Sequence, residues 1–124
     1  KIMDNREEAP QRTEIADLVK AKSQGEFVAA WRKYLEQDAP NPGDNADPAK
    51  LGLRNALDWL NNEEVRKLLE EKNYSRVLEL ASKRAGQYEA SAKQAGAGSG
   101  VFAIWGTMNT FSMMLNGKMK QGST

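Results

Sequence analysis

QAGAGSGVFAIWGTMNTFSMMLNG, residues 94–117, contains no charged side chain, in a chain of 124 residues of which 28% are charged. A helix on a protein surface needs a solvated face, and charged residues normally supply it. This stretch supplies none, so something other than water is expected to cover most of it. Its three glycines at 96, 98 and 100 read as a flexible joint over 96–100, followed by a helix over 101–119. Along that helix Val101, Ile104, Trp105, Met108, Phe111 and Leu115 fall within an arc of about 120°, a full core stripe. The opposite side holds Phe102, Ala103, Gly106, Thr110, Met113 and Met114, which are small, semi-polar or thioether. Gly106-x-x-x-Thr110 and Ala103-x-x-x-Thr107 have the small-residue spacing that lets another backbone come close. Four of the five methionines lie in residues 108–119, and Met suits both adaptable binding surfaces and ordinary gap-filling.

Two readings follow for this helix. It is the centre of its own bundle, since helices apolar all round are usually buried, or it packs one face on its own domain and the other on a neighbouring molecule. The second reading names Phe102, Ala103, Gly106, Thr110, Met113 and Met114 as the partner-facing set. Membrane insertion is a poor third. The apolar run from Val101 to Leu115 is 15 residues long and includes Thr107, Asn109, Thr110 and Ser112, whereas a spanning helix needs about 20 mostly apolar residues.

Outward from this segment the pattern is helical throughout, without period-2 alternation or a hairpin signal. Residues 1–12 read as a flexible arm, polar and without an apolar run of signal-peptide length. Thr13 is expected to cap a short helix with Ile15, Leu18 and Val19 on one face. Ser23-Gln24-Gly25-Glu26 matches a capping box and starts a helix to about Gln37, buried through Phe27, Ala30, Trp31, Tyr34 and Leu35. Residues 38–47 are a loop, rich in Pro, Gly and Asp/Asn. Asp47-Pro48 reads as an N-cap with Pro at the first helical position, and Leu53, Ala56, Leu57 and Leu60 form the inner stripe that follows. Asn61-x-x-Glu64 restarts a short helix with Val65, Leu68 and Leu69 inward, which Asn73 ends. A longer helix to about Gln94 is carried by Tyr74, Val77, Leu78, Ala81, Ala85 and Tyr88.

The fold expected is all-α: a small bundle of about five helices with a flexible N-terminal arm and an uncharged C-terminal helix. Residues 13–95 form the amphipathic domain, and its core is assigned to Leu18, Phe27, Trp31, Leu35, Leu53, Leu57, Leu60, Leu68, Val77 and Leu78. Ile104, Trp105, Met108, Phe111 and Leu115 join it from the last helix. A chain of this length buries roughly two thirds of its unfolded surface, enough for one core.

Composition narrows the function. There is no Cys and no His, which removes disulfides, thiol catalysis, Ser-His-Asp chemistry and the usual zinc sites. The net charge of +1 gives no reason to expect nucleic acid or an anionic surface as partner. Between Asn62 and Lys93, seven Lys/Arg alternate with six Glu, the pattern of a solvated face. The paired acids Glu7-Glu8, Glu63-Glu64 and Glu70-Glu71 lack the pocket that acid–base work requires. Asp44-Asn45-Ala46-Asp47 has calcium-ligand composition without the register of an EF-hand loop. Gly96–Gly100 lacks the preceding strand and the Lys of a phosphate-binding loop. Residue 1 is Lys, so a processed or tagged chain, or a fragment, is expected.

The expectation is therefore a non-enzymatic structural or assembly subunit without cofactor or metal. Its C-terminal helix mediates self-association or docking into a larger complex, with protein as the partner. Subunits of secretion machines, pili and phage particles are similar in general type, with no motif behind the likeness. The alternative is a monomeric adaptor or regulator that binds another protein's helix in a groove.

Overall fold

In the computed structural model the described residues, 12–121, form six helices and no strand. They are α1 (Ile15–Lys20), α2 (Gln24–Asp38), α3 (Pro48–Leu60), α4 (Glu63–Glu70), α5 (Tyr74–Ala95) and α6 (Gly100–Gln121). The arm expected over residues 1–12 lies outside the described residues except for Arg12, which pairs with Asp38 at 2.7 Å.

Local chemistry sets each boundary. Ser23 Oγ accepts the Glu26 N–H at 3.1 Å, and the Glu26 carboxylate accepts the Lys22 N–H at 2.7 Å. Pro48 opens α3 after Asp47, as its fixed φ favours. Three caps sit away from their expected residues. Glu14, not Thr13, precedes α1, and its N–H donates to Asp17 at 2.7 Å. Thr13 is held instead by Gln37, which accepts its N–H and donates to its carbonyl. Asn62, not Asn61, caps α4 by accepting the Val65 N–H at 3.2 Å, while Asn61 accepts from Arg32. Asn73 begins α5, accepting the Arg76 N–H at 3.3 Å, after a reversal through Lys72 at φ 59°.

Residues 96–100, the expected joint, form a hydrogen-bonded turn. Gly96 and Gly98 adopt φ 89° and 98°, a region open to glycine at little steric cost. Ser99 Oγ donates to the Gly96 carbonyl at 2.9 Å and accepts the Phe102 N–H at 3.1 Å, capping α6. The turn folds α6 back along α5, and these two helices share the largest contact in the fold, followed by α3 with α6. On α5 the buried positions are Val77, Ala81, Ala85 and Ala92. On α6 Met108 and Leu115 are buried as well.

One aromatic cluster joins three helices. The Phe111 ring lies 5.7 Å from Phe27, 5.4 Å from Trp31 and 5.9 Å from Trp59. Leu18, Leu35, Leu57 and Leu60 belong to the same buried core, whereas Leu53, Leu68, Leu78 and Trp105 pack against that core only partly buried. Ile104, placed in the core stripe by periodicity, is half-buried. Val28 and Val65 fill core positions as well. In α1, Leu18 alone is buried, and Ile15 and Val19 are 51% and 61% exposed. A helix of under two turns seats one side chain, not a stripe.

A buried lysine holds that short helix. Lys118 is 6% exposed, and its Nζ donates to the Val19 carbonyl at 2.6 Å. Val19 lies in the last turn of α1, where carbonyls lack helical partners and a cation is favoured. Lys118→Met is expected to orphan this carbonyl at a cost of about 1–3 kcal/mol. Hydrogen exchange should show amides 18–21 opening ahead of those in α5; equal protection in both proteins would deny the contact this role.

Candidate docking face along the C-terminal helix

Helix α6 is not enclosed. Its buried side chains, Met108, Phe111, Ser112, Leu115 and Lys118, occupy one side. At helical spacing Phe102, Gly106, Asn109, Thr110, Met113 and Asn116 share the other. Thr110 and Asn116 are exposed, Phe102, Gly106 and Asn109 are half-buried, and Met113 is 65% exposed. No charged group occurs on this outer side between Gly100 and Gly117.

The six residues expected to face a partner divide. Phe102, Gly106, Thr110 and Met113 lie together on the open side. Ala103 faces α3: a Cβ added to Gly52 would stand 2.7 Å from the Ala103 carbonyl carbon and 2.7 Å from Thr107 Oγ1. The Ala103-x-x-x-Thr107 spacing thus admits a helix of the same chain. Met114 packs against the core, half-buried. By contrast, a Cβ added to Gly106 meets nothing within 4 Å, so the second small-residue spacing is unoccupied.

Two clefts meet at Gly106 and Thr107. One, of about 400 Å³, lies between α6, the start of α3 and the glycine turn, and is lined by Asp47, Ala49, Gly98, Ser99, Phe102 and Ala103 as well. The other, of about 220 Å³, continues past Thr110 to Ile15, Trp31, Tyr34 and Leu53. Asp47 is the sole charged residue lining either. The Phe102 ring stands edge-on to Trp105 at 5.3 Å, and Lys93 of α5 lies 5.8 Å over the Trp105 ring. The Phe102 ring is therefore held by contacts within the chain. Sequence reasoning did not find the flanks of this face, Ile15 from α1 and Leu51 from α3, because periodicity turned Ile15 inward and gave Leu51 no role. Leu51 is 41% exposed, and its Cδ1 would lie 3.2 Å from a Cβ added at Gly100.

The remaining surface offers less. A wider depression of about 640 Å³ between α2 and α4 is lined by Arg32, Asn61, Arg66, Leu69 and Glu70, a mixture of signs open to water. Glu63, Glu64, Glu70 and Glu71 are all exposed, while Glu7 and Glu8 lie outside the described residues. The Arg76 guanidinium is held above its ordinary range by its hydrogen bond to Glu79 and by that carboxylate's charge, a solvent-facing pair one turn apart. Among the described residues no group of three His, Cys, Asp or Glu is placed to hold a metal ion, and no helix is long and apolar enough to cross a membrane. Comparison of the chain with protein-family models, with curated proteins and with solved structures finds no match.

Proposed function

We propose that this chain is a non-enzymatic helical assembly subunit, and that the open side of α6 is the surface through which it docks on protein. The observation supporting this is the uncharged outer side of α6, half-buried at Phe102, Gly106 and Asn109, exposed at Thr110, Met113 and Asn116, and flanked by the exposed Ile15 and Leu51. Exposed apolar side chains grouped on a surface without charge commonly mark a protein–protein site. The partner is another copy of the chain or a component of a larger complex. Nucleic acid is not the partner on this reading, since the face carries no cation to meet a phosphate.

The test is mass in solution by light scattering over a wide concentration range, for the wild type and for a Thr110→Lys, Met113→Lys double variant. Both positions are exposed, so stability should change by no more than about 0.5 kcal/mol for each. Association present in the wild type and absent from the variant supports the reading. A strict monomer that binds the same proteins as its variant rejects it.

The groove-binding adaptor is the second reading, favoured by the cleft of about 400 Å³ beside Phe102. Gly106 lines this groove, so Gly106→Leu obstructs both modes and does not separate them. The wild-type mass separates the adaptor, a monomer, from the self-associating form of the first reading.

A further inference from the structure

We infer that α1 is a strap that swings off the domain while α2 to α6 stay folded. In doing so it opens one side of the smaller cleft and releases Lys118. The inference rests on how α1 is attached, not on the docking reading.

Helix α1 is the most lightly held element. It has six residues, and isolated helices below about 12–15 residues are marginal in water, so α1 exists only while its contacts hold. Leu18 is its one buried side chain, and Ile15 and Val19 are more than half exposed. Helices α2, α3 and α5 each bury four residues. Helix α4 buries Val65 alone but adds Leu68 and Leu69, which pack against the core. Local opening is expected where few buried apolar contacts hold the backbone.

The path of the chain gives the strap its hinge. Gln37, in the last turn of α2, holds Thr13, and Ser23 caps the start of the same helix. Residues 13–23 therefore run back along α2. Backbone ψ is 135° at Ala21 and 166° at Ser23, so helical hydrogen bonding is broken between α1 and α2. A few residues of this kind absorb the φ/ψ change of a hinge. The hinge itself stays anchored, because Ala21 is buried and the Lys22 N–H donates to Glu26.

The ties differ in strength. The Arg12–Asp38 side chains are 57% and 38% exposed, and pairs open to water contribute little. The Thr13–Gln37 contacts are only partly buried. Leu18 and the buried Lys118, which donates to the Val19 carbonyl, are what closes the strap. Ile15 forms part of the wall of the 220 Å³ cleft, with Trp31, Tyr34, Leu53 and Thr110. Lifting α1 removes that wall, vacates the seat of Leu18 and leaves Lys118 without its acceptor.

Because the chain has no cysteine, introduced thiols report the opening. Leu18→Cys in the strap and Val77→Cys in α5 occupy fully buried positions. Labelled with a disulfide-exchange reagent in the full chain, Leu18→Cys should react at least about tenfold faster, because local opening needs less free energy than global unfolding. Its rate should change little with dilute urea, since a short segment exposes little surface, while that of Val77→Cys rises steeply. Adding Lys118→Met should raise the Leu18→Cys rate by roughly 5- to 150-fold, the equivalent of orphaning a buried carbonyl. Hydrogen exchange on the wild type guards against loosening of α1 by Leu18→Cys itself: amides 18–21 should show a weaker urea dependence than those of α5. Labelling of both thiols at one rate with one urea dependence overturns the inference. So do wild-type amides 18–21 that exchange in step with α5 at every urea concentration, and a Leu18→Cys rate that Lys118→Met leaves unchanged.

Discussion

Phe111→Ala is expected to be the most damaging single truncation, costing about 3–5 kcal/mol as large buried aromatics do. Phe111 is fully buried and its ring meets Phe27, Trp31 and Trp59. These neighbours come from α2 and α3, which also pack on each other, so the site cannot collapse by moving one element. Each aromatic pair adds about 0.5–1.5 kcal/mol beyond area burial. A domain of this size is stable by only about 5–15 kcal/mol, so the variant should lose a large share of its margin. The measurement is urea denaturation followed by tryptophan fluorescence, which Trp31 and Trp59 make sensitive to this cluster. A loss under 1 kcal/mol would show that the α2–α3–α6 junction is not the centre of the core.

Gly52 is the site of the second large effect. In an exposed helix interior, Gly→Ala stabilises by about 1 kcal/mol. At Gly52 the sign should reverse. The new Cβ would overlap the Ala103 carbonyl and approach Thr107 Oγ1 at 2.7 Å, and backbone cannot rotate aside as a side chain can. Helices α3 and α6 must separate, and overpacking of this kind costs about 1–3 kcal/mol for alanine. Gly52→Leu should prevent the native packing of α6 altogether. Gly86 is the internal control: it lies within α5, is exposed, and has nothing within 4 Å of an added Cβ. Gly86→Ala should stabilise while Gly52→Ala destabilises, in the same melting experiment. Equal signs would mean that α3 does not approach α6 as closely as described.

Much of the architecture was legible from periodicity and caps. The all-helical class, the helix that begins after Ser23, the break at residues 38–47 and the start at Pro48 all rest on interactions within one turn, where sequence neighbours are spatial neighbours. The errors were also local in kind. Asn61 and Asn62 are both good caps, and only the path of the chain decides that Asn62 caps α4 while Asn61 takes a hydrogen bond from Arg32. Thr13 yielded to Glu14 for the same reason. Glycine composition marks residues 96–100 as a joint, and the two hydrogen bonds of Ser99 that close it into a turn are visible only in the structure.

Propensity, capping and the absence of charge act within a single turn, and they already make these elements helices and give α6 an uncharged outer side. The tertiary structure decided which small-residue pair was used internally: Gly52 fills the Ala103–Thr107 spacing and leaves Gly106–Thr110 open. It also decided that Lys118, a residue any sequence rule would place in water, reaches the end of α1. Both outcomes depend on which residues, 51 and 99 positions apart, come into contact, and no periodicity within one helix encodes the surface it will meet.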